Sequence, residues 1–83
     1  MEIEEKKLHR VIAIMNRDEI DYLDKIGKDS LFTTGVKLSR VKILRAMVDA
    51  MKEIAIDGKS IKSEKELKDA ILKKVTRYRE GMI

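Results

Sequence analysis

The chain has 83 residues, no cysteine, no proline and a formal net charge of +4, with 43% hydrophobic and 41% charged side chains. That length allows one domain, whose small core is marginal without help. With disulfides and thiolate metal sites excluded, oligomerisation is the remedy expected. The apolar content is too high for a disordered chain, and no apolar run is long enough to span a membrane. The acidic N-terminus lacks the apolar stretch of a secretory signal, so a cytoplasmic location is expected.

Residues 1–9 are charged and read as an arm. Arg10-Val11-Ile12-Ala13-Ile14-Met15 follows, short, apolar and β-branched at 11, 12 and 14, which predicts a strand. Asn16 is a good N-cap, and Asp18 and Glu19 suit the positive end of a helix dipole. Ile20, Leu23 and Ile26 recur at helical spacing and predict an amphipathic helix over 17–28. Residues 29–38 form the main break, with turn chemistry at Thr33-Thr34-Gly35.

Ser39 is the next N-cap candidate, opening a second helix over 40–56 that is apolar over most of its circumference. Burying such a helix in so small a chain calls for a second subunit. Asp57-Gly58 ends it. Ser63-Glu64-Lys65-Glu66 has the form of a capping box, and Leu67, Ala70, Ile71, Val75 and Tyr78 predict a third amphipathic helix over 64–79, with Gly81 as its stop.

No phosphate loop, cysteine nucleophile or carboxylate pair in an apolar setting is present, so neither an enzyme nor a cofactor is expected. His9, alone beside basic residues, reads as a surface or DNA-proximal side chain, and no metal site is expected. Charge is uneven: residues 1–38 carry 7 basic and 8 acidic side chains, and residues 39–83 carry 12 and 7. A basic surplus is either an ordinary solvated surface or the footprint of a polyanion partner.

A lone strand leaves its backbone groups unpaired. The expected partner is the same strand of another copy, in an antiparallel ribbon across a two-fold axis. Such a ribbon fits the major groove. The alternatives are a buried helical extension or a plain dimerisation strand.

The run Arg10 to Asn16, with Ile20, Leu23 and Ile26, and then Leu38-Ser39-Arg40-Val41-Lys42-Ile43-Leu44-Arg45-Ala46-Met47, resembles the ribbon–helix–helix superfamily of Arc, MetJ and CopG over about residues 10–55. The resemblance implies a mainly α homodimer with an intermolecular ribbon and a dimerisation and DNA-binding domain over 10–56; residues 57–83 lie outside it and read as an extra helical extension. It implies that Val11, Ala13 and Met15 pack inward, with Leu44, Met47, Val48 and Met51 in the dimer core. Arg10, Ile12 and Ile14 would face the bases, while Lys37, Ser39, Arg40 and Lys42 hold phosphate at the start of the second helix. Two isoleucines in the outward set can meet thymine methyls but donate no hydrogen bond, which leaves polar readout to Arg10 with Lys6, Lys7 and His9. Arg45, further along, is a candidate for an ion pair.

The break between the first two helices reads as about six residues longer than the family's short turn, with Leu31 and Phe32 either covering the core edge or forming an exposed contact. The function implied is a nucleoid-associated repressor acting on duplex DNA as a dimer or dimer of dimers, of the sort plasmids and viruses encode. The alternative is an antitoxin, partition or relaxosome accessory module that grips a protein through residues 60–83. The third helix is then either structural packing or a partner surface, and its lysines either a solvated face or further phosphate contacts.

Overall fold

A computed structural model describes residues 7–81 and contains three helices: α1 (Arg17–Thr34), α2 (Arg40–Glu53) and α3 (Glu64–Gly81). Residues 7–16 belong to no helix and, within the single chain, to no strand. A buried helical extension at 10–15 is therefore absent. The protein is mainly α among the described residues.

Each helix starts where the local chemistry directs. Asn16 accepts a hydrogen bond from the Glu19 N–H at 2.8 Å, and Glu19 Oε1 accepts from the Asn16 N–H at 3.0 Å. This reciprocal box satisfies two donors that the first turn would otherwise leave unpaired. Ser39 Oγ accepts from the Lys42 N–H at 3.2 Å. At α3, Ser63 Oγ accepts from the Glu66 N–H, but the Glu66 carboxylate takes the Lys62 N–H instead of the Ser63 N–H. Only half of the expected box forms there, and the carboxylate reaches one residue further back.

The first helix runs six residues beyond the expected 28. Hydroxyls expected to form a turn instead bond back along the helix: Thr33 Oγ1 donates to Asp29 O at 2.8 Å and Thr34 Oγ1 to Ser30 O at 2.7 Å. Ser30 Oγ then donates to Val36 O at 2.7 Å, tying the helix end to the segment that leaves it. Gly35 stops α1 with φ 83°, and its N–H donates to Leu31 O, a left-handed cap that glycine adopts without steric cost. The residues assigned to a long break are thus mostly helix, and the link to α2 is only residues 35–39. Leu31 is 40% exposed, and Phe32 does not cover the core edge. Phe32 is 81% exposed on the outer side of α1.

The second helix stops three residues short of 56. Ile54 caps it and Ala55 adopts φ 59°, a left-handed conformation that ends helical bonding. The third extends to Gly81 rather than 79.

The core is small. Leu23 on α1 and Ile43 on α2 are the buried apolar side chains among the described residues, at 4% and 5% exposure. The chain exposes 8042 Å², whereas a compact monomer of its 9.6 kDa mass exposes roughly 5,100 Å². The expectation of a second helix buried on several sides is not met within one chain: Val41, Met47 and Val48 face solvent.

The link into α2 passes close against α1 at Gly27, which is buried. A Cβ built at Gly27 would lie 2.5 Å from the Leu38 carbonyl oxygen. A mid-helix glycine ordinarily costs stability relative to alanine, so its presence here reflects the closeness of that backbone. Gly27→Ala should therefore lower stability by about 1–3 kcal/mol through overpacking, whereas Gly81→Ala, which meets nothing within 4 Å, should not. Chemical denaturation of the two variants reads the difference.

Candidate nucleic-acid interface

The start of α2 and the end of the N-terminal segment are the two places where the chain gathers chemistry. At the start of α2, Asp24, Lys37, Leu38, Ser39 and Arg40 line an open hollow. Arg40 spans it with two hydrogen bonds to Asp24, Nε to Oδ1 at 2.8 Å and one terminal guanidinium nitrogen to Oδ2 at 2.9 Å. This fork-to-carboxylate geometry fixes angle as well as distance and fastens α2 to α1 across sixteen residues of sequence.

The Arg40 guanidinium beside Asp24 holds its carboxyl below the ordinary carboxylate value, first by hydrogen bonding and then by charge, with Lys28 and Lys37 adding to the positive surroundings. The guanidinium is correspondingly shifted up by the same bonds. Of the side chains expected to hold phosphate, Arg40 is thus committed to a carboxylate, though half its surface stays in solvent. The ion pair expected of Arg45 belongs to Arg40, and Arg45 has none among the described residues. Lys37, Ser39 and Lys42 are exposed around the same helix start.

Ser39 occupies the Lys42 N–H. The N–H groups of Arg40 and Val41, in the first turn of α2, meet no acceptor among the described residues. With the positive end of the helix dipole, they form the type of end that accepts an anion.

The second place is an apolar groove between the start of α1 and the middle of α2, lined by Met15, Asn16, Asp18, Glu19, Tyr22, Leu23, Leu44 and Met47. Met15 is the only member of the expected inward set that is partly covered, while Val11 and Ala13 are exposed. Val11 and Ile12 are each 84% exposed and Ile14 is 97% exposed. Arg10, Lys7 and His9 lie exposed on the same segment, and Lys6 is outside the described residues. Of the expected dimer core, Leu44 and Met51 are half-buried and Met47 and Val48 are exposed.

Neither Asp24 nor Gly27 was singled out by the sequence reading. Their partners, Arg40 and Leu38, are remote in sequence, so no local pattern announces them. Among the described residues no group of His, Asp or Glu is placed to hold a metal ion, and no helix is long and apolar enough to cross a membrane. Comparison with protein-family models, curated proteins and solved structures finds no match.

Because the Asp24 carboxyl is held below its unfolded value, the stabilisation from its pair with Arg40 is complete at neutral pH. It disappears as pH falls through the folded carboxyl's lowered value. Asp24→Asn should therefore melt below wild type at pH 7, and the two melting temperatures should converge well below about pH 4, the ordinary aspartate value. A melting-temperature difference that persists unchanged to pH 2 would contradict this role.

Proposed function

We propose that the chain binds duplex DNA as a homodimer of the ribbon–helix–helix type, laying a two-stranded ribbon of residues 10–15 in the major groove and acting as a sequence-specific repressor by occluding its site. One observation carries the reading. An exposed apolar segment, Val11 to Ile14, has no cover from its own chain, yet it is delivered by the Asn16 cap to the mouth of an open apolar groove. A second copy supplies what both lack: a strand to pair the backbone groups, and apolar side chains to fill the groove.

The rest of the arrangement fits this use. A helix start with free N–H groups, flanked by Lys37 and Lys42, suits the phosphate backbone, which positions a protein without specifying sequence. Arg40 serves mainly to hold α2 at its angle to α1, so phosphate binding falls to Lys37, Ser39 and Lys42. Base recognition falls to Arg10, with Ile12 and Ile14 against thymine methyls. Lys6 and Lys7 add positive charge at the edge of the proposed contact, and His9 a polar side chain.

A second reading, a protein-interaction module working through residues 60–83, is favoured by one feature: α3 has no buried residue. It predicts that a chain ending at Lys59 keeps its duplex affinity.

Selection of bound duplexes from a random pool, followed by mobility shifts on the recovered site, tests the proposal. Arg10→Ala should reduce affinity for the selected site far more than for random duplex. Lys42→Ala should weaken both equally and reduce the slope of log affinity against log salt by about 1. Absence of any duplex binding by the wild-type protein at low salt would overturn the reading.

A further inference from the structure

The outer side of α3 carries a pattern that neither the core nor the proposed DNA surface uses. On a helix of 3.6 residues per turn, Glu64, Lys68, Ile71, Leu72, Val75 and Arg79 fall on one face, at i, i+4, i+7, i+8, i+11 and i+15. Ile71, at the edge of this face, is half-buried like Leu67 and Ala70 on the neighbouring side, which leans on its own chain, and Lys74 Nζ donates to Ala55 O just past the end of α2. That contact is at the opposite end of α2 from Ser39, about 20 Å away along the axis at 1.5 Å per residue. Leu72 is 55% exposed and Val75 is exposed beside it. Among the described residues Glu64, Lys68 and Arg79 have no ion-pair partner in their own chain.

The face is self-complementary in one direction only. On this face the acidic residue is Glu64, in the first turn, and the basic end is Arg79, in the last; Glu66 lies on the opposite side of the helix. Two copies side by side in parallel would set like charges against each other. Two copies antiparallel, about a two-fold axis between residues 71 and 72, set Glu64 against the second copy's Arg79 at both ends. Ile71 and Leu72 then cross at the centre, and the Lys68 stem lies over Val75, its ammonium reaching water.

We infer that the outer face of α3 is a self-association surface, on which α3 of a second copy packs antiparallel, with reciprocal Glu64–Arg79 pairs fixing the direction. Exposed ion pairs add little affinity and act chiefly on orientation and specificity. The attraction comes from the short apolar centre, so the contact is weak. It forms at high protein concentration, or where neighbouring molecules are held together and the second contact becomes intramolecular. The surface uses neither residues 10–15 nor the start of α2, so its pairing is separate from whatever those regions build.

Sedimentation velocity on the full-length protein across a wide concentration range tests the assignment. Wild type should show a reversible step that doubles the mass of its basic species and weakens with added salt. Glu64→Arg and Arg79→Glu should each weaken that step by setting like charges together at both ends, and the double exchange Glu64→Arg with Arg79→Glu should restore it. Indifference of the doubling to either single change, failure of the double exchange to restore it, or no doubling at any concentration would overturn the proposal. The mass of the basic species reports separately on the N-terminal ribbon, so a monomer that doubles through α3 would sink the ribbon reading and leave this one standing.

Discussion

The contact between α1 and α2 governs the rest of the molecule, and it is thin. Two apolar side chains, Leu23 and Ile43, are out of water among the described residues. A single fork of hydrogen bonds from Arg40 to Asp24 and the bare backbone approach at Gly27 hold the two helices at their angle. Exposed pairs contribute little by themselves, so the Asp24–Arg40 pair acts on geometry more than on stability. Its effect is to place the start of α2, with its two unoccupied N–H groups, at a set position relative to the end of the N-terminal segment.

The shortage of core follows directly. Two buried side chains among the described residues are a small core for a chain of this length. The apolar side chains that would make up the difference are present but uncovered: Val11, Ile12 and Ile14 before α1, and Val41, Met47 and Val48 along α2. They line one continuous stretch of sequence logic, a strand that needs a partner and a helix pair with an open groove. In the proposed dimer each copy supplies the missing half of the other, and the surface that meets DNA is created by the act of assembly.

Local chemistry was legible in the sequence, and non-local chemistry was not. Asn16, Ser39 and Ser63 all cap helices because the acceptor and the N–H it serves lie three residues apart. The apolar spacing ends α1 six residues early because threonine serves two ends. Thr33 and Thr34 favour turns when their hydroxyls bond forward, but here they bond back to Asp29 and Ser30, leaving Gly35 alone to stop the helix. The apolar breadth of the second helix is plain in the sequence, but the single chain buries only Ile43 of it and leaves Val41, Met47 and Val48 exposed. The roles of Asp24 and Gly27 depend on residues brought near by the α1–α2 turn, which no spacing rule reaches. No strand forms at 10–15 in the single chain, which shows an uncovered apolar segment there; the strand belongs to the proposed dimer.

The central claim is that the fold is completed by a second copy. Thermal unfolding of the wild-type protein over about three decades of concentration tests it most directly, because anything that binds only the folded state makes the melting temperature depend on its concentration. The account predicts a single cooperative transition whose midpoint rises steadily with protein concentration. A midpoint independent of concentration, for a species that sediments as a monomer throughout, would contradict it.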